Sequence, residues 1–216
     1  MTVTLRHNRI ELALHDLTGA PRDAPRLLLL HGLGERSRKS VPAWASTWPG
    51  AIWALDYTGH GESTLPVGGG YTAEVLMGDV DAALEHLGPT TILGRGLGAY
   101  IALLIAGARY DLVRGAILAD GPGLFGGPPG PSSPQLITVP PGVHRAPDPF
   151  AMLELSRDVR PPDYALTFAR TAAEHSDLDT PLTVTAMGRP MWLDAVIEGM
   201  LLEPTTIADA LAGYAP

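Results

Sequence analysis

Cysteine is absent from the 216 residues, phenylalanine occurs three times, and lysine occurs once, as Lys39. Without cysteine there are no disulfides and no thiolate metal sites, and the redox compartment leaves no mark. Charge is sparse as well. Charged residues make up 18% of the chain, too few for a disordered polyelectrolyte. Positive charge is the minority, with 15 Lys and Arg against 23 Asp and Glu, for a formal net charge of −8. That balance argues against nonspecific nucleic-acid binding and against adhesion to anionic membranes. No apolar run approaches the roughly 18 residues of a membrane helix, and the opening MTVTLRHNRIELALHD has no signal-peptide core. The expectation is a soluble, cytoplasmic protein without a nucleic-acid or membrane partner.

What the chain does have is apolar content, 45% of residues, enough for one good core in a single domain spanning 1–216. Thr2 to Arg6 and Arg9 to Leu17 alternate around His7-Asn8 and predict a β-hairpin. Arg26 to Leu30, Ala51 to Leu55, Thr90 to Leu93, Gly115 to Ala119 and Leu182 to Ala186 are short continuous apolar runs. Such runs suit strands buried on both faces of a parallel sheet. Between them, Tyr71 to Leu87 carries one broad apolar face, with Thr72 as a start signal and Gly88-Pro89 as a stop. Ala99 to Tyr110 is apolar almost all round, as expected of a helix packed under a sheet. Strands alternating with helices imply βαβ units. Gly121 to Pro149 breaks the pattern, with Gly126-Gly127-Pro128-Pro129-Gly130-Pro131 at its centre, and Phe150 to Asp158 and Pro162 to Ser176 then predict two helices. Residues 121–180 are therefore expected to form a lid-like excursion from the domain.

Three turns carry the chemistry. Gly94-Arg95-Gly96-Leu97-Gly98 lies between a β-branched run and a helix, the setting in which a G-x-S-x-G elbow exposes a nucleophilic serine. Here the serine position is Gly96, which has nothing to attack with. The alternating glycines also fit a dinucleotide turn loosely, but that fingerprint belongs on the first βα turn, and here two buried strands come before it. His31-Gly32-Leu33-Gly34-Glu35 ends the first buried run; either a backbone N–H near Leu33 faces a developing oxyanion, or His-Gly simply terminates a strand. Asp56 to Ser63 ends the second, and its glycines and Asp56 point to a structural turn in which His60 is an acid or base or, more simply, a hydrogen-bond partner.

LLLLHGLGE, ALDYTGHGES and GRGLGAYIAL, in that order and spacing, resemble the α/β-hydrolase superfamily. The resemblance covers residues 9–120 and continues at Leu182 to Gly188. It implies an α/β fold: a mostly parallel sheet flanked by helices, with a short lid insertion after the strand ending at Asp120. It also implies Leu33 and Leu97 as the two oxyanion-hole amides. Carried over residue by residue, the catalytic triad fails. The nucleophile position is Gly96, the turn Gly188-Arg189-Pro190-Met191 offers no acid, and Asp194 falls in a helix-like segment. Asp120 is the alternative acid seat. No histidine follows His175, so the last strand and the general base are expected to be missing.

Two functions follow from this pattern. The first is a non-catalytic protein that binds a small apolar ligand in the former pocket near Leu33 and Leu97, or a protein partner. Loss of the last strand would expose an edge at Leu182–Ala186 for a homodimer, with Met187, Met191, Trp192 and Met200 as interface or core. The second is a lyase, cyclase or isomerase that moves protons with His31, His60 and Asp120, which requires at least two of them to face one pocket. No cofactor is expected. No metal is expected either, because His144 and His175 are isolated and no HxH or HxxxH cluster occurs.

Overall fold

The computed structural model describes residues 1–21, 23–124, 145–156 and 160–215. The predicted hairpin forms as β1 (Thr2–His7) and β2 (Ile10–Asp16), turning through Asn8 at φ 56°. The apolar runs become β3 (Arg26–Leu30), β4 (Ala51–Leu55), β5 (Thr90–Arg95), β6 (Val113–Ala119) and β7 (Leu182–Val184). They join one sheet in the order β1-β2-β4-β3-β5-β6-β7, antiparallel at the hairpin end and parallel from β4 onward. The centre is the most apolar part. Leu28 of β3 lies level with Trp53 on one side and Ile92 on the other, and Leu27 and Leu28 are fully buried.

One face of the sheet carries α1 (Ala73–Leu87), α2 (Leu97–Ala108), α4 (Pro162–His175) and α5 (Met191–Met200). Helix α1 begins where Thr72 Oγ1 accepts from the Val75 N–H, and it ends at Gly88 with φ 76°. Every residue of α2 from Leu97 to Gly107 is buried, which explains why its sequence has no polar face. The opposite face carries a 3-10 turn at Ala43–Ala45 and α6 (Ile207–Tyr214), which pack Trp48, Ala210 and Leu211 against Leu27, Ile52 and Leu93.

The region after β6 is not of one kind. Its Gly/Pro-rich centre, 125–144, lies outside the described residues. The short α3 (Pro149–Glu154) returns over the turn after β4: the Asp148 N–H donates to the Gly59 carbonyl, and the Tyr71 hydroxyl donates to the Asp148 carboxylate at 2.6 Å. Helix α4, which the sequence places in the excursion, instead packs into the helical layer. Its buried Ala165, Ala169 and Ala172 face that layer, and the Phe168 backbone presses so closely on Gly107 of α2 that no side chain fits there. Small residues on both helices allow this approach.

Among the described residues no strand follows β7; positions 187–215 form α5, α6 and their connections. The outer edge of β7 is short and partly used. The Thr205 N–H donates to the Val184 carbonyl, and the Thr183 and Tyr214 hydroxyls are 2.7 Å apart. Trp192 is buried and Met200 packs on the core, while Met187 and Met191 are exposed. No helix among the described residues is long and apolar enough to cross a membrane.

Candidate functional site

The turn from β5 into α2 is built on close backbone approach. A Cβ on Gly94 would overlap the Gly98 carbonyl, and one on Gly98 would run into the carbonyls of Leu30, the last residue of β3, and His31. Gly96 itself sits at φ 54°, ψ −113°, a conformation open to glycine that side-chain-bearing residues hold only under strain. The strand–turn–helix geometry predicted for this segment is present, with Gly96 at the turn.

The space beside Gly96 is occupied by the protein's own main chain. Residues Gly121 to Leu124, leaving the end of β6, pass directly over the elbow. A Cβ at Gly96 would overlap the Gly121 carbonyl carbon and the Pro122 oxygen. The Pro122 carbonyl accepts from the Leu33 N–H at 2.9 Å and from the Leu97 N–H at 2.9 Å. The sequence resemblance assigns these same two amides to an oxyanion hole; here both donate to one main-chain oxygen. The oxygen belongs to Pro122. Gly123 lies where a Cβ would come within 2.6 Å of the Leu33 Cβ, and Leu124, at φ 47°, buries its side chain in the main core.

The proposed proton-transfer groups are engaged elsewhere. His31 and His60 have ring centroids 5.1 Å apart, so the fold does bring them together. His31 Nδ1 donates to the Gly32 carbonyl at 2.8 Å, and its Nε2 accepts from the Tyr57 N–H at 3.3 Å. His60 Nδ1 donates to the Thr58 carbonyl at 3.1 Å, and its Nε2 accepts from the Gly34 N–H at 3.2 Å. Each neutral ring thus spends both nitrogens on backbone. Burial lowers the pKa of both, that of His60 to about 4 with help from the neighbouring His31 ring. Asp120 lies apart from them, exposed, with its carboxylate accepting from the Met187 and Gly188 N–H groups at 2.8 Å. It ties the end of β6 to the turn after β7.

Asp56 has the structural role its turn predicts. Its carboxylate accepts from the Ser37 N–H, the Glu62 N–H and His15 Nε2, at 2.7, 2.8 and 3.1 Å. Burial opposes its charge, but these donors outweigh that and hold its pKa below the ordinary value. Among the described residues no group of three His, Cys, Asp or Glu side chains could hold a metal ion; His144 lies outside them.

The sequence profile of the Alpha/beta hydrolase family matches residues 27–215. The chain belongs to the alpha/beta hydrolase family. Two solved structures with TM-scores of 0.50 or more agree on the fold. The thioesterase domain from the curacin biosynthetic pathway superposes over 99% of this chain and 96% of its own, with a TM-score of 0.65 at 18% identity. A proline iminopeptidase from Mycobacterium smegmatis matches over 58% of this chain with a TM-score of 0.50 at 18% identity. An epoxide hydrolase A from Mycobacterium thermoresistibile matches over 57%, with a TM-score of 0.46 at 21% identity. This alpha/beta hydrolase chain covers 45% and 40% of those two enzymes. No curated protein sequence matches it. Sequence reasoning missed the part played by Gly121-Pro122-Gly123 in this family member. The signal was there, since two glycines flanking a proline beside Asp120 permit close main-chain approach, but a partner about 90 residues away in the chain leaves no local pattern.

Proposed function

We propose that this family member is a non-catalytic protein that has kept the alpha/beta hydrolase scaffold for binding. The observation that carries the reading is the Pro122 carbonyl, bonded to both the Leu33 and Leu97 amides beside a nucleophile position that is Gly96. Acyl transfer needs a nucleophile activated by a base, and an oxyanion site open to the substrate. Position 96 supplies no nucleophile, His31 and His60 each have both nitrogens on backbone, and a main-chain oxygen fills the site. The same hydrogen bonds weigh against a lyase, cyclase or isomerase reading, in which two of His31, His60 and Asp120 would share a pocket.

The test is turnover of a p-nitrophenyl ester series from acetate to octanoate, paired with labelling by a fluorophosphonate probe. The expected outcome is no hydrolysis above buffer and no covalent adduct by mass spectrometry. Saturable hydrolysis that survives purification to homogeneity, or a stoichiometric adduct, would overturn the proposal.

A further inference from the structure

A cavity lies at the carboxyl ends of β3, β4 and β5, on the face that carries α6. Its volume is about 380 Å³, within the size range of small-molecule sites. The floor is apolar, made by Leu29, Ala54, Leu93 and the Trp44 ring. The rim is cationic. Arg36, Arg38, Lys39 and Arg95 all line it, four of the chain's fifteen basic residues, against one acid, Glu35. On a chain of net charge −8, that concentration is the opposite of the average surface.

Two of these cations already have partners. Arg95 Nη1 donates to both Glu35 oxygens, at 2.9 and 2.8 Å, and Lys39 pairs with Glu62. Arg36 and Arg38 form no ion pair with any described residue. Ser37 between them is 8% exposed, and its Oγ has no hydrogen-bond partner among the described residues. Its backbone is pinned by the 2.7 Å bond from its N–H to Asp56, which fixes where this three-residue rim stands. The exposed guanidinium groups of Arg36 and Arg38, without an ion pair among the described residues, match the donors that a bound oxyanion takes up. β3 and β5 are also the strands between which the sheet's connections change direction, where ligands of open α/β sheets bind.

We propose that this cavity binds a small molecule joining one oxyanion, a carboxylate or a phosphate, to a flat apolar body. The oxyanion lies against Arg36 and Arg38, and the apolar part lies on Trp44 and Leu93. Arg36, Arg38 and Trp44 lie outside the elbow turn, although Arg95 on the rim belongs to it.

Isothermal titration calorimetry with four probes tests it: 1-naphthyl phosphate, 1-naphthoate, neutral 1-naphthol and inorganic phosphate. At least one naphthyl anion is expected to bind, and the tighter of the two identifies the oxyanion. Naphthol and inorganic phosphate are each expected to bind at least about tenfold more weakly, because each lacks half of the recognition. Arg36→Ala with Arg38→Ala should weaken binding of the naphthyl anion about tenfold or more. Arg170→Ala, on the exposed side of α4, should leave binding unchanged, and thermal melts confirm that each variant is folded. Absence of binding by both naphthyl anions overturns the proposal. So does binding that the double arginine variant leaves intact, or naphthol or inorganic phosphate binding as tightly as the anion.

Discussion

A side chain at position 96 would need both room and a tolerant backbone, and the structure provides neither. At φ 54° and ψ −113° a glycine rests without strain, whereas any L-residue held there costs roughly 1–3 kcal/mol. The Gly121 and Pro122 main chain then overlaps the first side-chain atom. Gly96→Ser is therefore expected to destabilise the protein by about 2–4 kcal/mol, the backbone strain plus a displaced segment. In a chain of this length that lowers the melting temperature by roughly 5–15 °C. The serine gained should bring no ester turnover, because no described histidine stands ready to activate it. Calorimetric melting of the variant beside the native chain checks the first outcome, and a p-nitrophenyl butyrate assay checks the second. A variant as stable as the native chain would mean that the overlap at Gly121 does not persist in solution.

At the scale of elements, the segment Gly121–Leu124 holds β3, α2 and the end of β6 together through a single carbonyl. Leu124 anchors it: the side chain is buried in the main core at 3% exposure although its backbone, at φ 47°, is in the region leucine avoids. Burial offsets that strain. Leu124→Ala keeps the strain and loses the anchor, so a cost of about 2–4 kcal/mol is expected, near the usual range for truncating a core leucine. The distinguishing readout is local. In the native chain the Leu33 and Leu97 amides should exchange with solvent as slowly as core sheet amides, and in Leu124→Ala they should exchange at least about tenfold faster than the Leu28 amide changes. Equal acceleration at all three would show that the segment is no separate unit.

The same contrast between elements and contacts explains what was legible in the sequence. Strands β3 to β6 are recognisable because each is a continuous apolar run closed by Gly, Pro or Asp, and α1 because Thr72 and Gly88 mark its ends. Helix α2 follows from the apolar run Ala99 to Tyr110, and the turn before it from its glycine spacing. The role of α4 was not legible. Its alanine stripe, Ala165, Ala169 and Ala172, has the composition of a modest amphipathic helix, and only the depth of its contact with Gly107 makes it part of the core layer. The Pro122 carbonyl and the arginine-rimmed cavity were hidden for a related reason. A main-chain acceptor has no residue type, and Arg36 and Arg38 look like any solvated surface charge until the cavity beside them is seen.

For the molecule as a whole, the buried histidines set how stability responds to pH. His31 and His60 have pKa values lowered by burial, that of His60 to about 4, whereas the unfolded chain takes up protons near the ordinary value of 6.5. The unfolded state then binds more protons between those limits, so stability is fully present above pH 6.5 and falls as pH drops toward 4. His60 alone accounts for about 3 kcal/mol of that loss. His7 works in the other direction. Its 2.8 Å bond to the fully buried Asp79, which also accepts from the Thr58 N–H and hydroxyl, raises its pKa, so its contribution is present below 6.5 and fades as pH rises through the folded value. Stability should therefore pass through a broad maximum around neutral pH, with the steeper fall on the acid side, where two histidines act together. Urea midpoints measured from pH 4.5 to 9 check this. His60→Gln is expected to reduce the acid slope by about one proton, and His7→Gln to remove the shallow alkaline fall while leaving the acid slope unchanged. An acid slope that His60→Gln does not alter would mean that the ring is already protonated in the folded chain, and the hydrogen bond from Gly34 to its Nε2 could not then exist.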